Sequence, residues 1–254
     1  MYKRQKEDIP DLELSVSSLR ADSISPVIIQ TLVACGQKHS TIAIEAGSER
    51  LRKLINKNLS EKQIFETVKT AYENGLKGLK IYAMVGHPTE TKHDIDEMIA
   101  LAKKLKTSFK DFDFTFSFAT FVPKSHTPFQ FCERESVKSL EQKYEYLKKE
   151  FHKLGVKIRT SSVKWDYWQA LISRGDRRLC DYLVSVYKDG ANLGAFKQTY
   201  KNMYKQKLLP PSEEFALRKR DINENLPWDF IKMPPSKEAL IKEYQRLLGE
   251  CNKV

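Results

Sequence analysis

Polar side chains and glycines follow each β-like segment in the first half of the chain. In a parallel β/α architecture, strand carboxyl ends and helix N-termini meet at one edge, where ligands collect. There Arg20 could bind a carboxylate through two hydrogen bonds, and Glu45 could accept hydrogen bonds from a diol. The pattern predicts a site for a polar ligand with hydroxyls, an amine and a carboxylate. The candidates are Ser18, Arg20, Asp22, Glu45, Gly47, Ser48, Gly86, His87, Glu90, Thr91, Thr120, Phe121, Val122, Pro123 and Lys124.

Several candidates also have purely structural explanations. Glu45 and Glu90 stand beside serine or threonine near helix starts, where a carboxylate can cap backbone NH groups. For Glu90, capping and ligand contact are equally expected. Gly47 and Gly86 could serve only as turn residues. Because His87 has no second histidine or cysteine at ligand spacing, no metal site and no catalytic side chain are predicted within the chain.

The elements that position these residues repeat as β/α units. The predicted strands cover residues 12–19, 41–46, 79–85, 113–122 and 156–161. Helices are predicted after Ser25 and Pro26, in SERLRKLINK, from 61 to 74, from about Thr91, and over 136–153. Beyond them, helices are predicted at 165–174, 177–187, 193–204 and 237–248. We therefore expect an α/β fold: an incomplete parallel (β/α) TIM-type barrel followed by a mainly helical C-terminal extension.

The predicted domains follow this change of pattern. Residues 1–10 are interpreted as an N-terminal scar or remnant, because the first five resemble a translated adapter sequence. Residues 11–161 would form the partial barrel and residues 162–254 the helical domain. Four or five strands cannot close an eight-stranded barrel. The sequence thus predicts that earlier units are missing.

Composition restricts the class of protein. With 41% hydrophobic residues, a mean hydropathy of −0.53 and no long apolar run, the chain is expected to be globular and cytoplasmic. The four cysteines are too far apart for a CxxC-type metal site or a disulfide scaffold. The net charge of +11 lies in residues 101–254 and would attract polyanions, although a solvated lysine-rich helical surface is the preferred explanation.

Six segments resemble a known family. EAGSERLRKLINKNLSE at 45–61, GLKGLKIYAMVGHPTET at 75–91 and TFVPKSHTPFQF at 120–131 are similar to the later strands of radical S-adenosylmethionine (radical SAM) enzymes. SLRADS, SRGDRRL and LPWDFI, with the first three, resemble the branch that carries a cobalamin-binding domain. The resemblance extends from about residue 11 to residue 249.

This resemblance implies a cofactor site. In the family, a [4Fe-4S] cluster held by a CxxxCxxC loop cleaves S-adenosylmethionine reductively. By position, the resemblance assigns Arg20 to the methionyl group, Glu45 and Ser48 to the ribose, and the remaining residues to the adenine. Those adenine residues are Gly86, Pro88, Glu90, Phe121, Val122 and Pro123. Tyr82 departs from the pattern, since many relatives have glycine there.

The chain also lacks features that the family requires. It contains no CxxxCxxC, no glycine-rich segment for the SAM amine and no cobalamin domain. We therefore expect a C-terminal fragment of a radical SAM enzyme that is inactive by itself, with the cluster, and cobalamin if used, in its parent. The substrate is undetermined. Cys35, in the middle of a predicted helix, would be a small core residue.

The alternatives are an RNA-binding module or a non-catalytic scaffold. Basic and aromatic residues of the helical domain could contact substrate or RNA, although Asp176 could instead cap a helix and pair with the nearby arginines. The candidates for such contacts are Lys124, Arg174, Arg177 and Arg178, with Trp165, Tyr167 and Trp168 as aromatic neighbours. No membrane partner is expected.

Overall fold

The computed structural model describes residues 16–251, with side chains through residue 249. The chain forms two compact units. The first contains residues up to Ala119 and Gln142–Thr160, and the second contains Thr120–Glu141 and the residues from Ser161 onward. The connection that follows the third strand therefore groups with the C-terminal helices. The proposed boundary near residue 162 stays a prediction.

A four-stranded sheet lies at the centre of the first unit. Its strands are β1 (His39–Glu45), β2 (Gly78–Val85), β3 (Asp113–Thr120) and β4 (Lys157–Thr160), in the order β1-β2-β3-β4. The pairs β1/β2 and β3/β4 are parallel. Most of the predicted strand 12–19 lies outside the described residues, but Leu19 forms an isolated parallel bridge with Ile42. The α/β class is confirmed, and barrel closure stays a prediction.

Helices connect these strands, and their ends follow local sequence signals. They are α1 (Pro26–Ala34), α2 (Glu49–Leu54), α3 (Glu61–Glu73), α4 (Lys92–Ser108) and α5 (Val137–Lys153), with a 3₁₀ turn at Ala21–Ser23. The Ser25 hydroxyl accepts from the Ile28 amide, and Ser60 forms the predicted capping box with Gln63. Gly75, at φ 97°, ends α3 in the left-handed conformation that glycine permits.

The two faces of the sheet differ in character. One face packs against helices and carries apolar side chains, including Ile42, Ile81, Phe114, Phe116 and Phe118, all buried. The residues between them alternate onto the other face and are less buried. That open face carries Thr41, Ala43, Lys80, Tyr82, Met84, Thr115, Ser117, Lys157 and Arg159. A half-exposed polar face of this kind suits the interior of a ligand-binding barrel better than a dry core.

The second unit is helical. It contains α6 (Val163–Arg174), α7 (Leu179–Lys188), α8 (Leu193–Lys205), α9 (Ser212–Ala216) and α10 (Lys237–Cys251), with a 3₁₀ turn at Pro128–Phe131. Two apolar clusters form its core, one around Trp168 and Tyr182 and one around Phe131 and Trp228. Within residues 16–251, every helix is too short or too polar to span a bilayer.

Candidate functional site

The candidate site begins where β1 ends. Glu45 has a φ of 69°, a conformation that is uncommon for a residue with a side chain, and the register with β2 shifts at this point. Its carbonyl oxygen lies 3.3 Å from His87 Nε2. Left-handed backbone is costly and persists where its surroundings enforce it, often at ligand sites. The strand therefore turns sharply at the residue that was predicted to meet a ribose.

The Glu45 carboxylate remains able to bind a ligand. Its Oε1 accepts from Lys57 Nζ at 3.2 Å, and its side chain is 26% exposed. A carboxylate offers about four acceptor positions, so one lysine contact leaves capacity for hydroxyl donors.

A buried arginine holds the loop after Glu45. The Arg52 guanidinium donates to the carbonyl oxygens of Ala46 (2.9 Å), Gly47 (2.6 Å) and Leu59 (2.5 Å), and the residue is only 1% exposed. Burial lowers the pKa of Arg52, although arginine stays protonated over the physiological range. Sequence reasoning missed this residue, because arginines in a helix with this pattern are ordinarily on the surface.

Ser48 and Asp94 form a buried hydrogen-bond network at the start of α2. The Ser48 hydroxyl donates to Asp94 Oδ1 at 2.5 Å and accepts from the Leu51 amide, which caps α2. Arg50 Nη2 donates to Asp94 Oδ2 at 2.5 Å, and Thr91 donates to it from both its amide and its hydroxyl. Burial would raise the pKa of Asp94, but these hydrogen bonds outweigh it and lower the pKa to about 2.

This hydrogen-bond network changes the role expected of Ser48. Its hydroxyl is committed to a carboxylate and to a helix cap, and the residue is 2% exposed. Ser48 therefore positions the loop in this structure, and a ribose contact through its hydroxyl stays a prediction. Asp94 could have been found, since it stands three residues after Thr91 at capping-box spacing.

Gly86, His87 and Glu90 shape the end of β2. Gly86 has a φ of 81°, and its amide donates to Glu90 Oε1 at 3.0 Å. Lys143 Nζ donates to the same oxygen at 2.6 Å, and the Glu90 side chain is 3% exposed. Burial lowers the pKa of His87, which keeps the imidazole neutral. Glu90 therefore supports the Gly86 turn in this structure, and its contact with a ligand stays a prediction.

Arg20 is exposed at the end of the segment that precedes the first 3₁₀ turn. Its guanidinium pairs with Asp22 through Nε (3.0 Å) and Nη2 (2.6 Å), and its side chain is 81% exposed. The backbone bond from Leu19 to Thr41 fixes the preceding residue beside β1. An exposed bidentate pair contributes little to stability, so exchange of Asp22 for a ligand carboxylate costs little. Pro88 is half-buried in the loop after Gly86.

The remaining predicted residues belong to the second unit. Phe121 is buried and packs edge-on against Phe129 at 5.5 Å between ring centroids. Val122 is half-buried against the Trp168 cluster, and Pro123 is buried. Lys124 is exposed, and partial desolvation lowers its pKa.

The arginines of SRGDRRL divide into two classes. Arg174 is fully buried and donates to the carbonyl oxygens of Ala216 (3.1 Å) and Arg218 (2.6 Å). Its burial corrects the expectation of a surface contact, because this side chain cannot reach a partner without unfolding α6. Arg178 pairs with Asp176, as the structural alternative predicted, and Arg177 is exposed.

The described thiols do not suit an iron–sulfur cluster. Among the residues that the structure describes, no three histidine, cysteine or acidic side chains lie close enough to hold a metal. Cys35 is buried just after α1, not within it, and Cys132 is buried, which raises its pKa to about 12. Cys180 is exposed on α7. Cluster ligation requires several thiolates close together, and the described residues contain no such group, so these cysteines do not fit it.

Comparison with known protein families gives a match in the N-terminal part of the chain. The radical SAM superfamily model matches residues 1–102. That stretch includes β1, β2 and every predicted radical SAM site residue of the first unit. The match therefore agrees with the resemblance in that part of the chain.

Two relatives also match the chain. An uncharacterized protein of Methanocaldococcus jannaschii is 36% identical over 172 residues, which is 68% of this chain and 37% of the relative. An uncharacterized methyltransferase of Pyrococcus horikoshii is 28% identical over 109 residues, or 43% of this chain and 23% of the relative. The chain thus spans about a quarter to a third of the curated relatives that it matches.

Solved structures also match the chain, and one of them is an enzyme of a methanotroph. The 4-hydroxy-tetrahydrodipicolinate synthase of Methylacidiphilum fumariolicum SolV aligns over 91% of this chain and 81% of that chain, with 11% identity and a TM-score of 0.27. No conclusion about the fold rests on a likeness at that level.

Proposed function

We propose that this chain is part of a radical SAM enzyme whose first unit binds S-adenosylmethionine at the carboxyl ends of β1 and β2. The family match over residues 1–102 carries this proposal. It is supported by the left-handed turn at Glu45 and by the polar, open face of the sheet. S-adenosylmethionine, when bound, is the radical source of this family.

Different residues of the first unit would bind different parts of S-adenosylmethionine. Glu45 would accept from the ribose hydroxyls, and Arg20 would release Asp22 to bind the methionyl carboxylate through two hydrogen bonds. Gly86 and Pro88 would line the adenine, with Glu90 holding the Gly86 turn in place. In the second unit, Phe121, Val122 and Pro123 are the proposed adenine wall.

The cluster and cobalamin belong to a different part of the proposal. Because the described cysteines do not fit a cluster, we assign its ligands to another region of the parent protein, and the chain alone is proposed to be inactive in SAM cleavage. Membership in the cobalamin-binding branch rests on the SLRADS, SRGDRRL and LPWDFI segments. Methyl transfer is one proposed reaction, because the Pyrococcus relative is named a methyltransferase. A cytoplasmic location is likewise a proposal.

Titration calorimetry with S-adenosylmethionine and S-adenosylhomocysteine tests the binding role. We expect Glu45→Gln to weaken binding about tenfold, because a charged acceptor contributes roughly 1.5–3 kcal/mol in a hydrogen bond. Glu66→Gln is the matched control, since Glu66 is exposed on α3 away from the strand ends. Absence of binding, or equal loss in both variants, would overturn the proposal.

A further inference from the structure

A groove in the second unit has a composition that the proposed cofactor site does not explain. It lies between α6 and α8 and has a volume of about 540 Å³. Aromatic rings form its floor, and lysines from both helices stand at its rim. Its lining includes Tyr167, Tyr200, Tyr204, Lys164, Lys197 and Lys201. We call it the lysine–tyrosine groove.

Hydrogen bonds hold the floor of the groove rigid. The Tyr167 hydroxyl lies 2.6 Å from Ser212 Oγ, and the Tyr200 hydroxyl donates to the Pro210 carbonyl at 3.1 Å. Their ring edges and faces are therefore fixed, with polar ends already satisfied. Tyr204, one turn further along α8, is 49% exposed and presents its ring to solvent.

The rim concentrates positive charge without compensation from its own helix. α8, LGAFKQTYKNMYK, has lysines at 197, 201 and 205 and no acidic residue. Like charges four residues apart destabilise a helix by roughly 0.2–0.5 kcal/mol per pair. No ion pair involves Lys164, Lys197 or Lys201 among the described residues. Glu213 is the one acidic side chain in the groove lining.

We propose that the lysine–tyrosine groove binds single-stranded nucleic acid. Single-strand sites combine a basic path along the backbone with aromatic platforms for the bases. Lys197 and Lys201 are separated by about 6 Å along α8, at 1.5 Å per residue, and Lys164 lies on α6, so the groove can contact more than one phosphate. The rigid aromatic floor favours flat bases over an acidic peptide. Bound phosphates would also relieve the repulsion along α8.

Salt dependence gives the proposal a quantitative test. Each phosphate contact of a single strand contributes roughly −0.7 to the slope of the logarithm of the association constant against the logarithm of the salt concentration. If Lys164, Lys197 and Lys201 each neutralise one phosphate, that slope should be about −2. Binding of fluorescein-labelled U8 RNA, followed by anisotropy, should then weaken about twentyfold between 50 and 200 mM KCl. A slope near zero would overturn the proposal.

Two double variants distinguish binding at the groove from a general effect of the net charge. Lys197→Gln with Lys201→Gln should reduce the slope to about −0.7 and weaken binding at 50 mM KCl at least tenfold. Lys148→Gln with Lys149→Gln, which removes the same charge from exposed positions on α5, should leave both values unchanged. Equal loss in the two double variants would overturn the proposal.

Ring stacking and ligand type complete the test. Tyr204→Ala should weaken U8 binding about tenfold, because stacking contributes roughly 1–3 kcal/mol per base. dT8 and U8 should both bind, and their ratio distinguishes DNA from RNA as the natural source. Stronger binding of duplex than of single strand, or full competition by UMP at equal phosphate concentration, would contradict a single-strand groove.

Discussion

The buried carboxylate of Asp94 should set the acid stability of the first unit. Its folded pKa of about 2, against an ordinary 3.8, corresponds to about 2 kcal/mol at neutral pH. Asp94→Asn removes this charge while keeping the shape of the side chain. It leaves Arg50 without its ionic partner and weakens the Ser48 bond. We expect the variant to lose about 2–3 kcal/mol of unfolding free energy at pH 7.

The pH dependence has a definite sign. Because folding lowers the pKa of Asp94, its contribution is present above the unfolded value near 4 and is lost as the pH falls towards 2. The gap between wild type and Asp94→Asn should therefore narrow between pH 5 and pH 3. The two unfolding free energies converge at low pH only if the variant loses a stabilising charge. A loss of packing would leave the difference unchanged.

Urea unfolding followed by circular dichroism at pH 7, 4 and 3 measures this difference. Tryptophan fluorescence reports separately on the second unit, which contains all three tryptophans, Trp165, Trp168 and Trp228. Glu97→Gln is the control on the same helix, because Glu97 pairs with His93 at the surface and should change stability little. A stability gap that is equal at pH 7 and pH 3 would refute this account of Asp94.

Two further predictions concern buried groups of each unit. Arg52→Met should destabilise the first unit by at least about 2 kcal/mol, because three carbonyl oxygens lose their buried donor. Urea unfolding followed by circular dichroism measures this loss. An unchanged unfolding midpoint would contradict the role of this side chain in the loop. Cys180 should react with iodoacetamide at pH 8 much faster than Cys132, whose burial raises its pKa to about 12, and peptide mass spectrometry resolves the two sites. Comparable rates would show that the second unit opens readily.

Local signals predicted much of the fold correctly. The Ser25 cap, the Ser60 capping box and the left-handed end of α3 depend on neighbouring residues, so the sequence contains their causes. The alternation of phenylalanines in β3 likewise predicted a strand with one buried face. β1 was placed at 41–46 and ends instead at Glu45, where the backbone turns left-handed.

Interactions between distant residues were not predictable in the same way. Asp94 meets Ser48 across 46 positions, and Arg174 meets Arg218 across 44. A buried arginine with backbone acceptors has no local pattern, because its partners are carbonyls that every residue possesses. Arg174 was therefore assigned to a surface from composition alone, although it is fully buried.

The placement of S-adenosylmethionine on the first unit can be tested directly by photocrosslinking. Irradiation of the chain with radiolabelled S-adenosylmethionine, followed by peptide mapping, should give adducts in residues 44–48 or 86–90, at the ends of β1 and β2. Excess S-adenosylhomocysteine should abolish them, and Glu45→Gln should reduce them. Adducts confined to α8 or other parts of the second unit, or none that a competitor displaces, would contradict the assignment of the cofactor site.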